Sequence, residues 1–414
     1  MKKFLGLILL FAAFASASMI GLDALGEEQT VGGSAGAAGR GYAGGAKTGE
    51  AEGFVVTNPA RIAFDKKVVF NLNFLMELYS AENHGDSYFS EAISMPSFNL
   101  SFPMDVFGAL GLSLWQSYSS SFREEVQDSA RNADAKIEYQ GSVYEIVPSY
   151  AVRLPFFRNV SLGFSAHLVL GSNMRSLTLG PNKDSIDEED LWATNNAKIS
   201  DYVEGSWEIE NHPAYYTGSV MYRGRMASFY FSYTTGHTLL NKLDFDFRFS
   251  ELDTLVPSRI DRTIDIPAMF ATGINYRIAK RHNAMADLQW RSWDGDIENI
   301  GHSYDMPAYT ESQKDFVVSV GYQRDGSGLY YDPYWDRISY RAGAWYKNWY
   351  IKDVFEVGGS IGAGFPLGKK GTTVDLAIQG GKRFSDSKEN WEEAFLSIRL
   401  GLMGIGTWGQ ARGR

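Results

Sequence analysis

The chain has 414 residues, no cysteine, and 49 acidic against 39 basic side chains, a formal net charge of −10. Without cysteine, disulfide frameworks and thiolate metal sites are excluded. The acidic balance argues against nucleic acid as a partner, because phosphates would be repelled.

Met1-Lys2-Lys3 is a short basic start, Phe4 to Phe14 an apolar run, and Ala15-Ser16-Ala17 a small-residue cleavage site. This is the pattern of a secretory signal peptide over residues 1–17, too short to anchor in a membrane. No later run approaches the roughly 20 apolar residues that a spanning helix needs. Aromatics nonetheless make up 14% of the chain and glycine is abundant. The length beyond the leader suits two soluble domains or one large barrel.

Residues 18–62 form a distinct segment. Nine residues between Gly32 and Gly53 are glycine, and the stretch ends in Asn58-Pro59-Ala60. That composition argues against a free-standing helix or strand. It fits a compact plug or a periplasmic tail, and Phe54, Val55 and Val56 offer anchors for a plug.

From residue 63 to residue 405 the pattern has period two. In 161–171, Leu162, Phe164, Ala166, Leu168 and Leu170 share one face, and Ser161, Gly163, Ser165 and His167 the other. Segments 357–365 and 394–402 repeat this alternation, the signal of a half-buried strand. A soluble sandwich alternates too, but three features favour a membrane barrel. The less apolar face is rich in Gly and Ser. Tyr79, Phe156, Phe157, Trp290, Trp293, Trp349 and Tyr350 lie near strand ends, where interfacial girdles form. Connections alternate between short ones and long ones, the latter near 81–92, 122–136, 179–202, 251–262, 295–311 and 385–392. The expected fold is all-β, a transmembrane antiparallel β-barrel of about 14 strands. The strands are placed at 66–80, 93–103, 105–121, 137–154, 158–178, 203–223, 225–250, 258–279, 283–294, 312–324, 337–348, 354–366, 370–384 and 393–403. Residues 406–414 remain as a C-terminal tail. An even count places both ends on the periplasmic side of an outer membrane.

Ala38-Gly39-Arg40-Gly41-Tyr42-Ala43-Gly44, followed by Asn58-Pro59-Ala60, resembles the N-terminal hatch of the FadL-type long-chain fatty acid outer-membrane transporters. Tyr340-Arg341-Ala342-Gly343-Ala344-Trp345-Tyr346 and Gly362-Ala363-Gly364-Phe365-Pro366-Leu367 resemble the C-terminal third of that superfamily. The chain departs from the pattern at its end, Ala411-Arg412-Gly413-Arg414, which carries no terminal aromatic. The resemblance implies a barrel with a hatch inside its lumen, with Gly39, Gly41, Gly44, Asn58, Pro59 and Ala60 in hatch or gating roles. It leaves the cargo open, because relatives in the superfamily include hydrocarbon channels and secretion-associated barrels.

Glu145, His167, Asp287, Arg341, Asp375 and Arg399 fall on the lumen phase. Arg341 and Arg399 suit a carboxylate partner, or they pair with neighbouring charges in a wet barrel. Trp115, Trp345 and Phe395 also point inward, to line a hydrophobic pocket or to pack against the plug. There is no G-x-S-x-G elbow to pair with His167, no phosphate loop, and no histidine spacing for a metal. The chain therefore reads as a non-enzyme without cofactor. The expected function is passive uptake of hydrophobic small molecules, long-chain fatty acids among them, by a monomer in outer-membrane lipid. The alternatives are a non-transport barrel serving protein secretion, and a general porin.

Overall fold

The computed structural model describes residues 27–29, 34–49, 56–83, 86–128, 133–181, 201–248, 255–293, 296–298, 309–368, 372–385 and 392–406. The proposed leader and residues 407–414 of the proposed C-terminal tail lie outside them, and Gly406 ends the last strand. Fourteen strands form the wall: β1 Val68–Asn83, β2 Asp86–Pro103, β3 Ala109–Asp128, β4 Ala133–Arg153 and β5 Val160–Pro181. Three strands are each built in two pieces. β6 is Asp201–Ile209 with Ala214–Arg223, β7 is Ala227–Thr234 with His237–Arg248, and β8 is Leu255–Ile266 with Met269–Ala279. The rest are β9 His282–Arg291, β10 Asp315–Arg324, β11 Ser339–Asn348, β12 Val354–Leu367, β13 Thr372–Ser385 and β14 Glu392–Gly406.

Each strand pairs antiparallel with its sequence neighbours. The sheet closes where β1 meets β14, from Val68 opposite Gly406 to Glu82 opposite Glu392. Closure is obligatory, because lipid offers no partner for an open row of N–H and C=O groups. No helix among the described residues is long and apolar enough to cross a membrane.

The alternation sorts side chains as the strand pattern predicts. On β5, Leu162, Phe164, Leu168 and Leu170 are exposed toward lipid, while Ser161, Ser165, His167 and Val169 are buried inside. On β14, Leu396, Leu400 and Leu402 face out, and Phe395, Ser397 and Arg399 face in.

The three two-piece strands are adjacent, and their breaks lie side by side at residues 210–213, 235–236 and 267–268. Pro213 and Pro267 have no N–H to give to a ladder. Side chains take over there: Asn211 Nδ2 donates to the Thr238 carbonyl at 2.9 Å, and Leu240 N–H donates to Asn211 Oδ1 at 3.1 Å. Tyr216 N–H donates to Thr235 Oγ1 at 3.0 Å.

Two expectations are corrected. The outer connections near 81–92 and 122–136 are largely strand: β1 runs to Asn83 with β2 starting at Asp86, and β3 runs to Asp128 with β4 starting at Ala133. Above the bilayer a ladder needs no apolar stripe, so hydrophobic alternation did not mark these extensions. At the other end β3 begins at Ala109 rather than 105, because Asp105–Phe107 forms a 3-10 turn. The second correction concerns the girdle. Trp290, Phe156 and Phe157 are exposed, but Tyr79, Trp293, Trp349 and Tyr350 are buried inside the barrel. Tyr79 is in phase with the inward Leu75 and Glu77, and Trp349-Tyr350 fold inward from the β11–β12 connection. Tyr222, Tyr276, Tyr322 and Tyr340 face outward instead, near the periplasmic ends of their strands.

Placing a cation on the lipid face tests this assignment. Leu400→Arg is expected to lower stability in lipid bilayers by about 2–4 kcal/mol, measured by reversible denaturant unfolding. Ser397→Ala, on the inner face of the same strand, is expected to cost less.

Candidate functional site

Residues 34–49 and 56–64 lie inside the wall, and nearly all of their described side chains are buried. The segment begins with a one-turn helix, α1, Ala35–Ala38. Ser34 caps it, its Oγ accepting from Ala37 N–H at 3.1 Å. Ala35 N–H donates to Asn73 Oδ1 on β1 at 2.9 Å. Helix residues this small bring the backbone close to the wall.

After α1 the chain turns at Gly41, φ +64, and Gly44, φ +117. A side chain at Gly41 would put its Cβ 2.7 Å from Ala344 N, and one at Gly343 would put its Cβ 2.1 Å from the Arg40 carbonyl carbon. Plug and wall thus touch backbone to backbone along this seam, which requires glycine on both sides. Polar wall groups finish the contact. Gly41 N–H donates to Ser360 Oγ at 2.8 Å. Gly44 and Gly45 N–H donate to one oxygen of Asp287 at 2.9 and 2.7 Å. Arg40 Nη1 donates to Gln323 Oε1 at 2.6 Å.

Asn58-Pro59-Ala60 opens a 3-10 helix, Pro59–Phe64, with Pro59 in the first turn. Proline is suited there because its fixed φ matches and its missing N–H is not needed. Asn58 does not cap the helix but ties the segment to itself, its Nδ2 donating to the Gly45 carbonyl at 2.9 Å. Ala60 is clamped between two wall serines: its N–H donates to Ser219 Oγ, and Ser161 Oγ donates to its carbonyl, both at 2.8 Å. A Cβ on the neighbouring Gly163 would lie 2.0 Å from Ala60 N.

The five residues expected to meet a ligand all face the lumen, and all touch the plug or its neighbours. Trp115 packs in a cluster with Val56, Ile62 and Ala63. Trp345 meets the Tyr42 ring edge-on at 5.4 Å, and Phe395 joins the same cluster. Arg399 donates to Tyr42 Oη at 3.3 Å. Arg341 pairs with Asp375 at 2.6 Å and donates to Gln323 at 3.2 Å. Glu145 pairs with His167 at 2.9 Å, and His167 Nε2 is 2.9 Å from Thr217 Oγ1. No cluster of His, Asp and Glu suited to a metal occurs among the described residues.

Sequence reasoning missed a second group in the outer half of the lumen. Glu27 and Glu28, ahead of the glycine-rich segment, meet Arg383, Arg291 and Lys347 from the wall. Arg291 bonds one Glu28 carboxylate oxygen, and Lys347 Nζ lies 3.2 Å from the other. Phase contained the signal for the cations: Lys347 lies two residues beyond the inward Trp345, and Arg383 four beyond the inward Gln379. Nothing in the sequence marked Glu27 and Glu28 as their partners.

Asp287→Ala removes the acceptor of two buried plug amides, at roughly 1–3 kcal/mol for each donor left unpaired. Faster hydrogen exchange is expected at Gly44 and Gly45 by mass spectrometry, with barrel-strand amides unchanged.

A family model described as BamG matches residues 47–412. Among solved structures, a FadL homologue of Pseudomonas aeruginosa is similar at 15% identity and a TM-score of 0.65, covering 91% of this chain and 99% of that one. The toluene transporter TodX of Pseudomonas putida is similar at 14% identity and a TM-score of 0.61, covering 93% and 100%. The toluene transporter TbuX of Ralstonia pickettii is similar at 13% identity and a TM-score of 0.51, covering 93% and 99%. At these identities the likeness establishes the fold alone, a closed antiparallel barrel like that of the FadL homologue. No curated protein matches the sequence. The family match runs from the glycine-rich segment past the last strand, and the chain is accordingly a member of the BamG family.

Proposed function

We propose that this barrel is a gated outer-membrane channel for passive uptake of hydrophobic small molecules. The observation that carries the reading is the plug: a segment with little side-chain bulk, seated backbone to backbone on the wall through Gly41 and Gly343, and held by single polar side chains. The solved structures with this fold include toluene transporters and a FadL homologue, which supports an apolar cargo. Long-chain fatty acids and aromatic hydrocarbons are the two candidate classes.

In this reading Gly39, Gly41 and Gly44 let the plug fit and shift, and Asn58-Pro59-Ala60 is its fixed hinge at the wall. Trp115, Trp345, Phe395, Arg341 and Arg399 become available to cargo as the plug withdraws. The closure of the sheet through β1 and β14 within one chain supports a monomer.

A second reading, a scaffold for other envelope proteins, has one observation in its favour. The connection Asp325–Ile338 exposes Leu329, Tyr331 and Trp335 on the periplasmic side, and Asp325 pairs with Lys47 of the plug at 3.2 Å.

Planar-bilayer recordings separate these readings from a porin. The full chain is expected to show little ionic current, and a variant lacking residues 32–57 large steady currents. Cells carrying the full chain should take up toluene or oleate faster than cells without it. Large steady currents through the full chain would sink the gated-channel reading, and uptake indifferent to the barrel would favour the scaffold.

A further inference from the structure

Three adjacent periplasmic turns run against the charge of the chain. The β4–β5 turn brings Arg153 and Arg158, and the β6–β7 turn Arg223 and Arg225. The β8–β9 turn is Lys280-Arg281, with Arg277 just ahead of it. Segments 146–160, 214–235 and 268–286, which hold these cations, contain no acidic residue. The chain as a whole has 49 acids against 39 bases, so the cluster is not a sample of its composition. The flanking connections do carry acids: Asp105 between β2 and β3, and Asp325, Asp332 and Asp336 between β10 and β11.

Backbone hydrogen bonds join these turns into one rim. Arg223 N–H donates to the Asn159 carbonyl, and Arg277 N–H to the Met226 carbonyl, both at 2.7 Å. Arg153, Arg223 and Arg277 share the inward phase of the buried Ala151, Met221 and Asn275, but are themselves exposed. They form a row at the mouth of the lumen, where Arg223 lies 5.4 Å above the Phe64 ring. Arg153 and Arg277 act on Arg223 as like charges, and Asp65 at the foot of the plug acts as the opposite one. Arg158, Arg225 and Lys280 stand in the turns themselves, exposed, and none of the three has an ion-pair partner among the described residues.

The same turns expose apolar side chains beside the cations. Phe156 and Phe157 precede Arg158, Met226 follows Arg225, and Ile278 lies two residues before Lys280. On the lipid face next to them, Tyr222 and Phe229 stack with ring centroids 5.0 Å apart, and Tyr276 is exposed. Tyrosines at the ends of membrane strands sit at head-group level. Arg225 is three residues beyond Tyr222 and Lys280 four beyond Tyr276, at about 3.3 Å of chain per residue at most. The turn cations therefore lie at the level of the phosphates of the inner leaflet. A soluble anion would engage the cations and leave the apolar side chains bare, whereas a phospholipid engages both.

We propose that the periplasmic rim from β4 to β9 is a binding surface for anionic phospholipid of the inner leaflet. The phosphate lies on Arg158, Arg225 and Lys280, and the acyl chains run along Tyr222, Phe229, Tyr276 and Ile278. Arginine forks match phosphate oxygens bidentately, and each cation at a membrane surface adds to the attraction for anionic lipid. Arg153, Arg223 and Arg277, one row behind, keep the potential positive, so a head group with net negative charge is favoured over a zwitterionic one. The surface lies on the outside of the barrel, away from the lumen. It therefore does not rest on the channel reading, and either can fail without the other.

The test uses the full chain in detergent and native mass spectrometry. Dioleoyl phosphatidylglycerol and dioleoyl phosphatidylcholine are the probes, with the same tails and different net charge. Glycerol phosphate and polyglutamate serve as competitors, a phosphate without tails and an acidic polymer. R158Q/R225Q/K280Q is compared with K314Q/K352Q/K382Q, which removes the same charge from exposed lysines at the outer rim. Near-UV circular dichroism checks that each is folded. The wild type is expected to bind phosphatidylglycerol roughly tenfold tighter than phosphatidylcholine. R158Q/R225Q/K280Q should lose that preference with phosphatidylcholine unchanged, and K314Q/K352Q/K382Q should keep it. Equal affinity for the two lipids in the wild type overturns the proposal, as does a preference that survives in folded R158Q/R225Q/K280Q. An equal loss in both variants makes the effect one of net charge and overturns the site. Displacement of phosphatidylglycerol by glycerol phosphate at similar concentration assigns the rim to free phosphate, and displacement by polyglutamate assigns it to an acidic protein; either overturns the lipid.

Discussion

Backbone hydrogen bonding in a solvent that offers none is the constraint on which this structure depends. Each strand has to pair on both sides within the bilayer, and the pairing of β1 with β14 over residues 68–82 closes the sheet into a barrel. Where two prolines and a glycine interrupt β6, β7 and β8, the side chains of Asn211 and Thr235 replace part of the missing ladder. Once the ladder is closed, the outer face has one task, to be apolar. The inner face is then free to be polar, and it is the face that can carry function.

That inner face behaves as the interior of a protein rather than as a water-filled pore over the levels occupied by the plug. Many of its polar groups pair with the plug or with each other, as buried polar groups do. Ser219 and Ser161 bracket Ala60, Asp287 takes two glycine amides, and Arg341 is matched by Asp375. A typical bond of this kind adds only about 1 kcal/mol net. The plug is thus held by many modest contacts distributed along its length, with glycine permitting the close approach that makes them.

Much of this was legible before any coordinates. The period-two alternation in 161–171 and 394–402 assigned lipid and lumen faces correctly, because the bilayer imposes a strict apolar requirement on one of them. The lumen placement of Glu145, His167, Asp287, Arg341, Asp375 and Arg399 followed from the same phase. The outer strand extensions were not legible, since ladders in water impose no side-chain pattern. Tyr79, Trp349 and Tyr350 were read as girdle residues because aromatic content near a strand end suits either a membrane interface or a buried core. Only phase in the first case, and an inward-folding connection in the other two, separates them.

By itself, the sequence determined an all-β outer-membrane barrel of about fourteen strands and the inward phase of the residues on its regularly alternating strands, since a local periodicity answers directly to the solvent on each face. The tertiary structure decided which of those residues meet. It set Gly343 against Arg40, Gly163 against Ala60, and the carboxylates of Glu27 and Glu28 among Arg291, Lys347 and Arg383. Partners more than 250 residues apart in the chain leave no local trace, because only the closure of the sheet brings them to the same level of one lumen.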